Sequence, residues 1–237
     1  MNHFNIAVFF VIAFKVDAQE FIPTTNKGYL VHHDFYTMSY VEEYEQAEWT
    51  FHLICKKCYG SAVRKNNFRE DPKISTISAQ IADYAGSGYD RGHLVPAGDM
   101  SRNEIAMSES FFMSNMSPQI PAFNRGIWQK LEGQLRSWSF EFDTMYVVTG
   151  PIINFGYKTI GKNQVAVPQF YFKAIFLKNS EIMIGFILPN QESNAALYNY
   201  QVTIDQIEKI TNLDIFASLD DRIERIMESR LVSLDFD

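Results

Sequence analysis

The sequence predicts an α+β fold, on three observations. Strand-like and helix-like segments follow one another irregularly, without the βαβα rhythm of a doubly wound parallel sheet. Residues 169–177 and 181–188, rich in aromatic and β-branched side chains, face each other across Lys178-Asn179-Ser180 as an antiparallel hairpin. Hydrophobic residues make up 46% and aromatics 15% of the 237-residue chain. That composition supports a substantial core, and no repeat or low-complexity tract interrupts it.

Taken in order, residues 1–18 read as a signal peptide. The run from Phe4 to Phe14 is apolar but shorter than the roughly 20 residues a bilayer requires. Val16-Asp17-Ala18 places short side chains at positions −3 and −1 of a cleavage site, so the mature chain starts near Gln19. The protein is therefore expected to be exported, to a periplasm or the extracellular space, with no membrane span. Residues 19–237 are expected to form a single domain. Residues 35–40 alternate as a strand, 41–48 hold a turn with acidic residues, and 49–53 form another strand. His32-His33-Asp34 invites a metal site, but neighbours on a strand point to opposite faces. Cys55 and Cys58 lack a second Cys or His pair for zinc; a short-loop disulfide and two free thiols both stay open. Asn66 to Pro72 is a loop, and Gly86-Ser87-Gly88 allows a tight path into the next segment. A short helix is expected over 108–112, a loop at Ser117-Pro118-Gln119, and a helix over 125–137 with Asn124 as its N-cap. Residues 145–151 read as a buried strand. Thr203-Ile204-Asp205-Gln206 is a capping box opening a helix to about Ile210.

The formal net charge of −7 argues at first against a polyanionic partner, but its distribution is uneven. From Lys56 to Arg136 there are 11 Lys/Arg against 8 Asp/Glu, and from Asp205 to Asp237 there are 4 against 9. A locally cationic surface on an acidic protein can still engage phosphates. The many Phe and Tyr residues are accounted for by a core rather than by base stacking.

The cationic stretch contains two segments with chemistry. Tyr89-Asp90-Arg91-Gly92-His93 places a histidine beside an arginine. Asn124-Arg125-Gly126-Ile127-Trp128-Gln129-Lys130-Leu131-Glu132 begins 31 residues after His93 and supplies an amide and a carboxylate. A neutral imidazole, with its ordinary pKa of about 6.5, can take a proton from water near neutrality. At about 100° per residue, Asn124, Trp128, Glu132 and Arg136 fall within a sector of about 120° of one helix. Trp128 belongs to the core; on the helix alone, a solvated polar face would be the better explanation of Asn124 and Glu132 too. The histidine and its cationic neighbour turn the balance toward phosphodiester hydrolysis with one hard metal ion.

Asp90-Arg91-Gly92-His93 resembles the signature of the DNA/RNA non-specific endonuclease family, which includes mitochondrial endonuclease G and the sugar-non-specific bacterial nucleases. Ser114-Asn115-Met116-Ser117-Pro118-Gln119, Asn124-Arg125-Gly126-Ile127-Trp128, Leu131-Glu132, Val148-Thr149-Gly150-Pro151 and residues 202–211 are similar to further family segments. The likeness runs from about Tyr36 to Leu219. It implies a ββα-metal (His-Me finger) nuclease core with antiparallel sheet and flanking helices. It implies His93 as general base and Asn124 as the protein ligand of Mg²⁺, with Mn²⁺ as a substitute. By the same resemblance Glu132 holds water of the metal shell and Arg136 stabilises charge on the phosphoryl oxygens. Arg91 supports the site or contacts phosphate, and Asn115 braces the loop facing His93. The family's phosphate-contacting arginine ahead of Asp-Pro corresponds to Arg64 or Arg69, with Arg64 preferred. Substrates would be DNA and RNA, cut with little sequence preference to 5′-phosphate products; a homodimer and an inhibitor protein stay open as partners. Two other functions remain open: a catalytically silent nucleic-acid-binding protein on the same fold, and a metal-dependent phosphodiesterase acting on another substrate. The intact His93, Asn124 and Glu132 argue against the silent binder.

Overall fold

The computed structural model describes residues 21–232 apart from Ile77, Asp143 and Asp220; the signal-peptide expectation for residues 1–18 lies outside the described residues. In chain order the strands are β1 (Tyr29–His32), β2 (Tyr36–Val41), β3 (Gln46–Cys55), β4 (Asp90–His93), β5 (Met116–Gln119), β6 (Thr144–Ile152), β7 (Lys158–Ile160), β8 (Val165–Val167), β9 (Phe170–Leu177), β10 (Ile182–Pro189) and β11 (Gln201–Val202). The α-helices are α1 (Ile81–Tyr84), α2 (Glu104–Glu109), α3 (Pro121–Phe123), α4 (Gln129–Glu141), α5 (Ile204–Thr211) and α6 (Asp221–Glu228).

Seven strands form one sheet in the order β1-β2-β3-β6-β9-β10-β11, and every neighbouring pair is antiparallel. The alternation of side chains along each strand divides the core in two. On one face Val147, Ile175, Ile184 and Phe186 pack with Trp128, Leu131 and Leu135 of the long helix. On the other, Trp49, Phe51, Val148, Phe172 and Ala174 pack with Ile204 and Ile207 of α5. The expected hairpin is present as β9–β10, with Ile182 opposite Leu177. Separate from this sheet, β4 and β5 form a two-stranded antiparallel ribbon.

The sequence places several boundaries differently. The long helix starts at Pro121, as suits a proline at the first helical position, and Asn124 is not its N-cap: it has right-handed helical φ/ψ of −56° and −48°. Residues Asn124–Trp128 form a π turn, with Gly126 outside helical geometry. The extra residue per turn breaks the strict i, i+4 register assumed for Asn124 and Glu132. The helix expected over 108–112 lies earlier, because the Asn103 side chain accepts from the Ala106 N–H and caps α2. Ser117-Pro118-Gln119 is strand rather than loop, since Asp90–His93 supplies a partner; Pro118 is tolerated because a ribbon edge does not require its missing N–H. Gly86 and Gly88 take φ of +70° and +84° on the path into β4, conformations that favour glycine. The capping box forms as read, with Gln206 N donating to Thr203 Oγ1 and Thr203 N to Gln206 Oε1.

His32 and His33 diverge. His33 is buried with Nε2 3.0 Å from Asp71 Oδ2, whereas the Nδ1 of exposed His32 lies 3.1 Å from Thr37 Oγ1. Cys55 and Cys58 are joined in a disulfide at the end of β3. Its closed loop is so short that the entropy it removes from the unfolded chain is worth only about 2 kcal/mol. Urea unfolding of oxidised and reduced protein should therefore differ by about that amount; equal midpoints would show that the bond contributes nothing to stability.

Candidate active site

The ribbon sets the first half of the site. Asp90 lies opposite Gln119 and His93 opposite Met116, so Arg91 and His93 share one face while Asp90 and Gly92 share the other. A Cβ on Gly92 would lie 2.1 Å from the Gln119 side chain, which is itself fully buried. Glycine is required there by close approach.

His93 is buried, its ring edge-on to Phe111 with centroids 5.0 Å apart and tilted against Phe68 at 5.9 Å. Among the described residues its Nε2 has no hydrogen-bond partner. Burial, reinforced by the positive charges of Arg64 and Arg91, pushes its pKa down to about 3. The ring is therefore neutral at physiological pH. The two arginines stack on the same aromatic walls, Arg91 over Phe68 at 4.2 Å and Arg64 over Phe111 at 5.0 Å. Arg64 is otherwise exposed and donates from Nε to Asn66 Oδ1 at 2.8 Å. Arg69 is engaged elsewhere: its Nη1 donates to the carbonyls of Asn67 and Ser108, and the guanidinium covers Phe112. Asn115, fully buried, braces the segment after His93. It accepts from Leu94 N on its carbonyl and from Val95 N on Oδ1, and its Nδ2 donates to Val95 O and Ser110 O.

Asp90 joins the ribbon to the helix. Its carboxylate accepts two hydrogen bonds from Arg125, at 2.8 and 2.6 Å, and one from Asn124 Nδ2 at 2.9 Å. Burial works to raise its pKa, but these donors outweigh burial and hold it below the ordinary carboxylate value. An ionised carboxylate only accepts, so the Asn124 amide must direct its NH₂ toward Asp90 and its Oδ1 away.

Farther along the helix, Glu132 and Arg136 are partly buried above a polar row on the sheet. Thr149 lies opposite both Thr50 and Lys173 in the strand registers. Lys173 is fully buried, donates to Thr149 Oγ1 at 2.8 Å and sits 4.6 Å from the Trp128 ring centroid. Burial raises Glu132 to about 7, against the opposing effect of Lys173. Burial lowers Lys173 to about 8, opposed by Glu132 and Asp99. Each holds charge on the other. Arg136 Nη1 donates to Asp99 Oδ1 at 3.0 Å, and His52 Nε2 lies 3.1 Å from Asp99 Oδ2. Burial keeps His52 below its ordinary pKa despite Asp99, so a neutral imidazole donates its Nε2 proton to Asp99.

The fold thus brings Arg64, Arg91, Asn115 and His93 into one cluster and links it through Asp90 to Asn124. Arg64 acts electrostatically on both His93 and Glu132, which ties that cluster to Glu132 and Arg136. Sequence reasoning missed Phe68, Phe111, His52, Asp99 and Lys173. Lys173 alone had a signal, as the sole charge in the apolar run Phe170–Leu177. The donors that Asn124 and Glu132 offer, an amide oxygen and a carboxylate, are hard oxygens. They fit Mg²⁺, which prefers oxygen and keeps several waters, rather than zinc, which prefers nitrogen and sulfur.

Residues 18–222 match the family model described as DNA/RNA non-specific endonuclease. Nuclease C1 of Cunninghamella echinulata var. echinulata is 37% identical over 218 residues, covering 84% of this chain and 86% of that one. The mitochondrial nuclease EXOG of Homo sapiens is 33% identical over 206 residues; the match takes in 78% of this chain but only 56% of EXOG. A solved EndoG/EndoGI complex, described as showing the mechanism of EndoG inhibition, contains a chain with a TM-score of 0.79 and 26% identity. That likeness covers 92% of this chain and 95% of the other.

The buried neutral His93 has a consequence for stability. Its folded pKa of about 3 lies below the unfolded value of about 6.5, so the unfolded state binds more protons between them. Stability complete above pH 6.5 is therefore lost as pH falls, by about 2 kcal/mol down to pH 5 from this group. His93→Ala should be less stable at pH 7 but lose about 2 kcal/mol less than wild type between pH 7 and 5 in urea unfolding. Parallel losses in the two proteins would show that His93 is not held neutral.

Proposed function

The chain belongs to the DNA/RNA non-specific endonuclease family, and from that premise we propose an exported, Mg²⁺-dependent endonuclease that cuts DNA and RNA with little sequence preference to 5′-phosphate products. The observation that carries this is His93, held neutral between Phe68 and Phe111 with an unpartnered Nε2. Such a nitrogen can accept a proton from an attacking water without first losing one. The aromatic walls fix the ring, and Asn115 holds the backbone that follows it.

Asn124 Oδ1, turned away from Asp90, would hold Mg²⁺, with Mn²⁺ as a substitute, and Glu132 would accept hydrogen bonds from the ion's waters. When bound, the ion would polarise the phosphate and stabilise charge on the leaving 3′-oxygen. Arg136 would meet charge growing on the phosphoryl oxygens; Asp99 and His52 fix its guanidinium from behind. Arg64 and Arg91 would contact backbone phosphate, which every sequence presents alike. Arg64 is preferred to Arg69 because the hydrogen bonds of Arg69 already go to the protein. Export is supported by the leader-like residues 1–18 and by the Cys55–Cys58 disulfide, a bond that persists in oxidising compartments. The likeness to an EndoG chain in complex with EndoGI makes an inhibitor protein a reasonable partner.

The test is cleavage of supercoiled plasmid and of RNA by the mature chain, with Mg²⁺ or EDTA, beside His93→Ala. Wild type should degrade both substrates only with the metal, and His93→Ala should be slower by about 10²–10⁴-fold. Binding without cleavage by folded, metal-loaded wild type would replace the proposal with a silent binder. Preference for a small phosphodiester in competition with polynucleotide would replace it with another phosphodiesterase. Asp90→Ala, which frees the Asn124 amide, should raise the Mg²⁺ concentration for half-maximal cleavage by about 10–100-fold. An unchanged Mg²⁺ dependence would show that Asp90 does not set the amide.

A further inference from the structure

The acidic excess near the C-terminus gathers at one point of the fold. Helices α5 and α6 both pack on β10, on the face of the sheet opposite the candidate active site. Asp205 and Glu208 lie three residues apart in α5 and so share a helix face. Glu228 ends α6, beside Met227, whose side chain is buried in the same core cluster as Ile204 and Ile207. One carboxylate oxygen from each of Asp205, Glu208 and Glu228 lies within 4.8 Å of the others.

Three clustered acids alone mean little, and Glu228 supplies the second observation. It is only 7% exposed, and its buried Oε1 has no hydrogen-bond partner among the described residues. A buried carboxyl oxygen without a partner is costly, and this carboxyl group has an oxygen within 4.8 Å of oxygens of Asp205 and Glu208. Glu208 has one satisfied contact, accepting the Ile215 N–H on Oε1 at 2.6 Å. Burial first, and then the negative charges of Glu208, Glu224, Asp205 and Asp214, push Glu228 up to about 8.

We propose that Asp205, Glu208 and Glu228 form a Ca²⁺ site, distinct from the candidate catalytic centre, that clips α6 to α5. Calcium takes six to eight oxygen ligands at 2.3–2.6 Å, so one ion can bridge oxygens up to about 5 Å apart. The donors are all oxygen, which disfavours zinc. Exposed Asp205 leaves the ion open to the waters that complete its shell, and flexible coordination suits calcium better than the strict octahedron of magnesium. The bound ion satisfies Glu228 Oε1 and fixes the end of the chain's last described helix against the sheet.

The test is calorimetric titration of CaCl₂ into EDTA-treated Asn124→Ala protein, in which the catalytic ion should not contribute. One equivalent of Ca²⁺ should bind, and the thermal midpoint should rise with Ca²⁺. Glu228→Gln and the exposed Asp205→Asn, each added to that background, should weaken binding at least about tenfold, as loss of a charged ligand does. Asp205→Asn keeps the test decisive if the buried substitution disturbs folding. No saturable uptake up to about 10 mM, beyond the weak limit for extracellular calcium modules, would overturn the proposal. So would unchanged affinity in a folded Asp205→Asn or Glu228→Gln protein, or uptake of Mg²⁺ in place of Ca²⁺. Cleavage plays no part in this readout, so failure of the nuclease reading and failure of the calcium site are separately visible.

Discussion

The carboxylate of Asp90 is the contact on which the candidate site depends. It sits on the ribbon three residues before His93 and grips both Arg125 and Asn124 from the helix. Arg125 is 70% exposed, and a solvated ion pair of this kind adds only about 0–1 kcal/mol to stability. Its value lies in direction rather than energy. Held ionised, Asp90 can only accept, so the Asn124 amide has one orientation and its oxygen points away from that carboxylate. Chain continuity already joins the two halves, since β5 ends at Gln119 and the helix begins at Pro121; what Asp90 adds is the orientation of the amide at that junction.

Behind this junction the protein tolerates an unusual amount of buried charge. Lys173 and Asp99 are each almost fully buried beneath the long helix, with the neutral His52 beside them. Isolated, each charge would be expelled or neutralised. Together with Arg136 and Glu132 they offset one another: Asp99 bridges His52 and Arg136, while Lys173 is anchored on Thr149 and opposes the rise in Glu132. Cores specify geometry through shape; this layer does so through hydrogen-bond direction, which is more exacting. The opposite face of the sheet is filled by an apolar cluster, and its acidic group lies between α5 and the end of α6.

Much of the site could be read from residue type and spacing. Asp-Arg-Gly-His and the Asn…Glu…Arg series announce a base, an oxygen donor and cations. The hairpin and the Thr203 capping box were legible because hydrophobic alternation and cap chemistry are local. Asn124 as an N-cap was misplaced because Pro121 starts the helix one turn earlier and a π turn follows. The loop expected at Ser117-Pro118-Gln119 became a strand because its partner lies 25 to 29 residues upstream, beyond any local signal.

The sequence by itself determined the fold class, the kind of chemistry and a set of candidate residues for it, because periodicity, capping and functional-group identity are properties of short stretches. Tertiary structure alone decided which groups meet. It placed Phe68 and Phe111 against His93, Asp90 against Asn124, His52 and Asp99 behind Arg136, and Glu228 beside Asp205. The physical reason is that charge, burial and hydrogen-bond direction depend on neighbours. In this chain those neighbours are set by sheet register and helix docking between segments far apart in sequence.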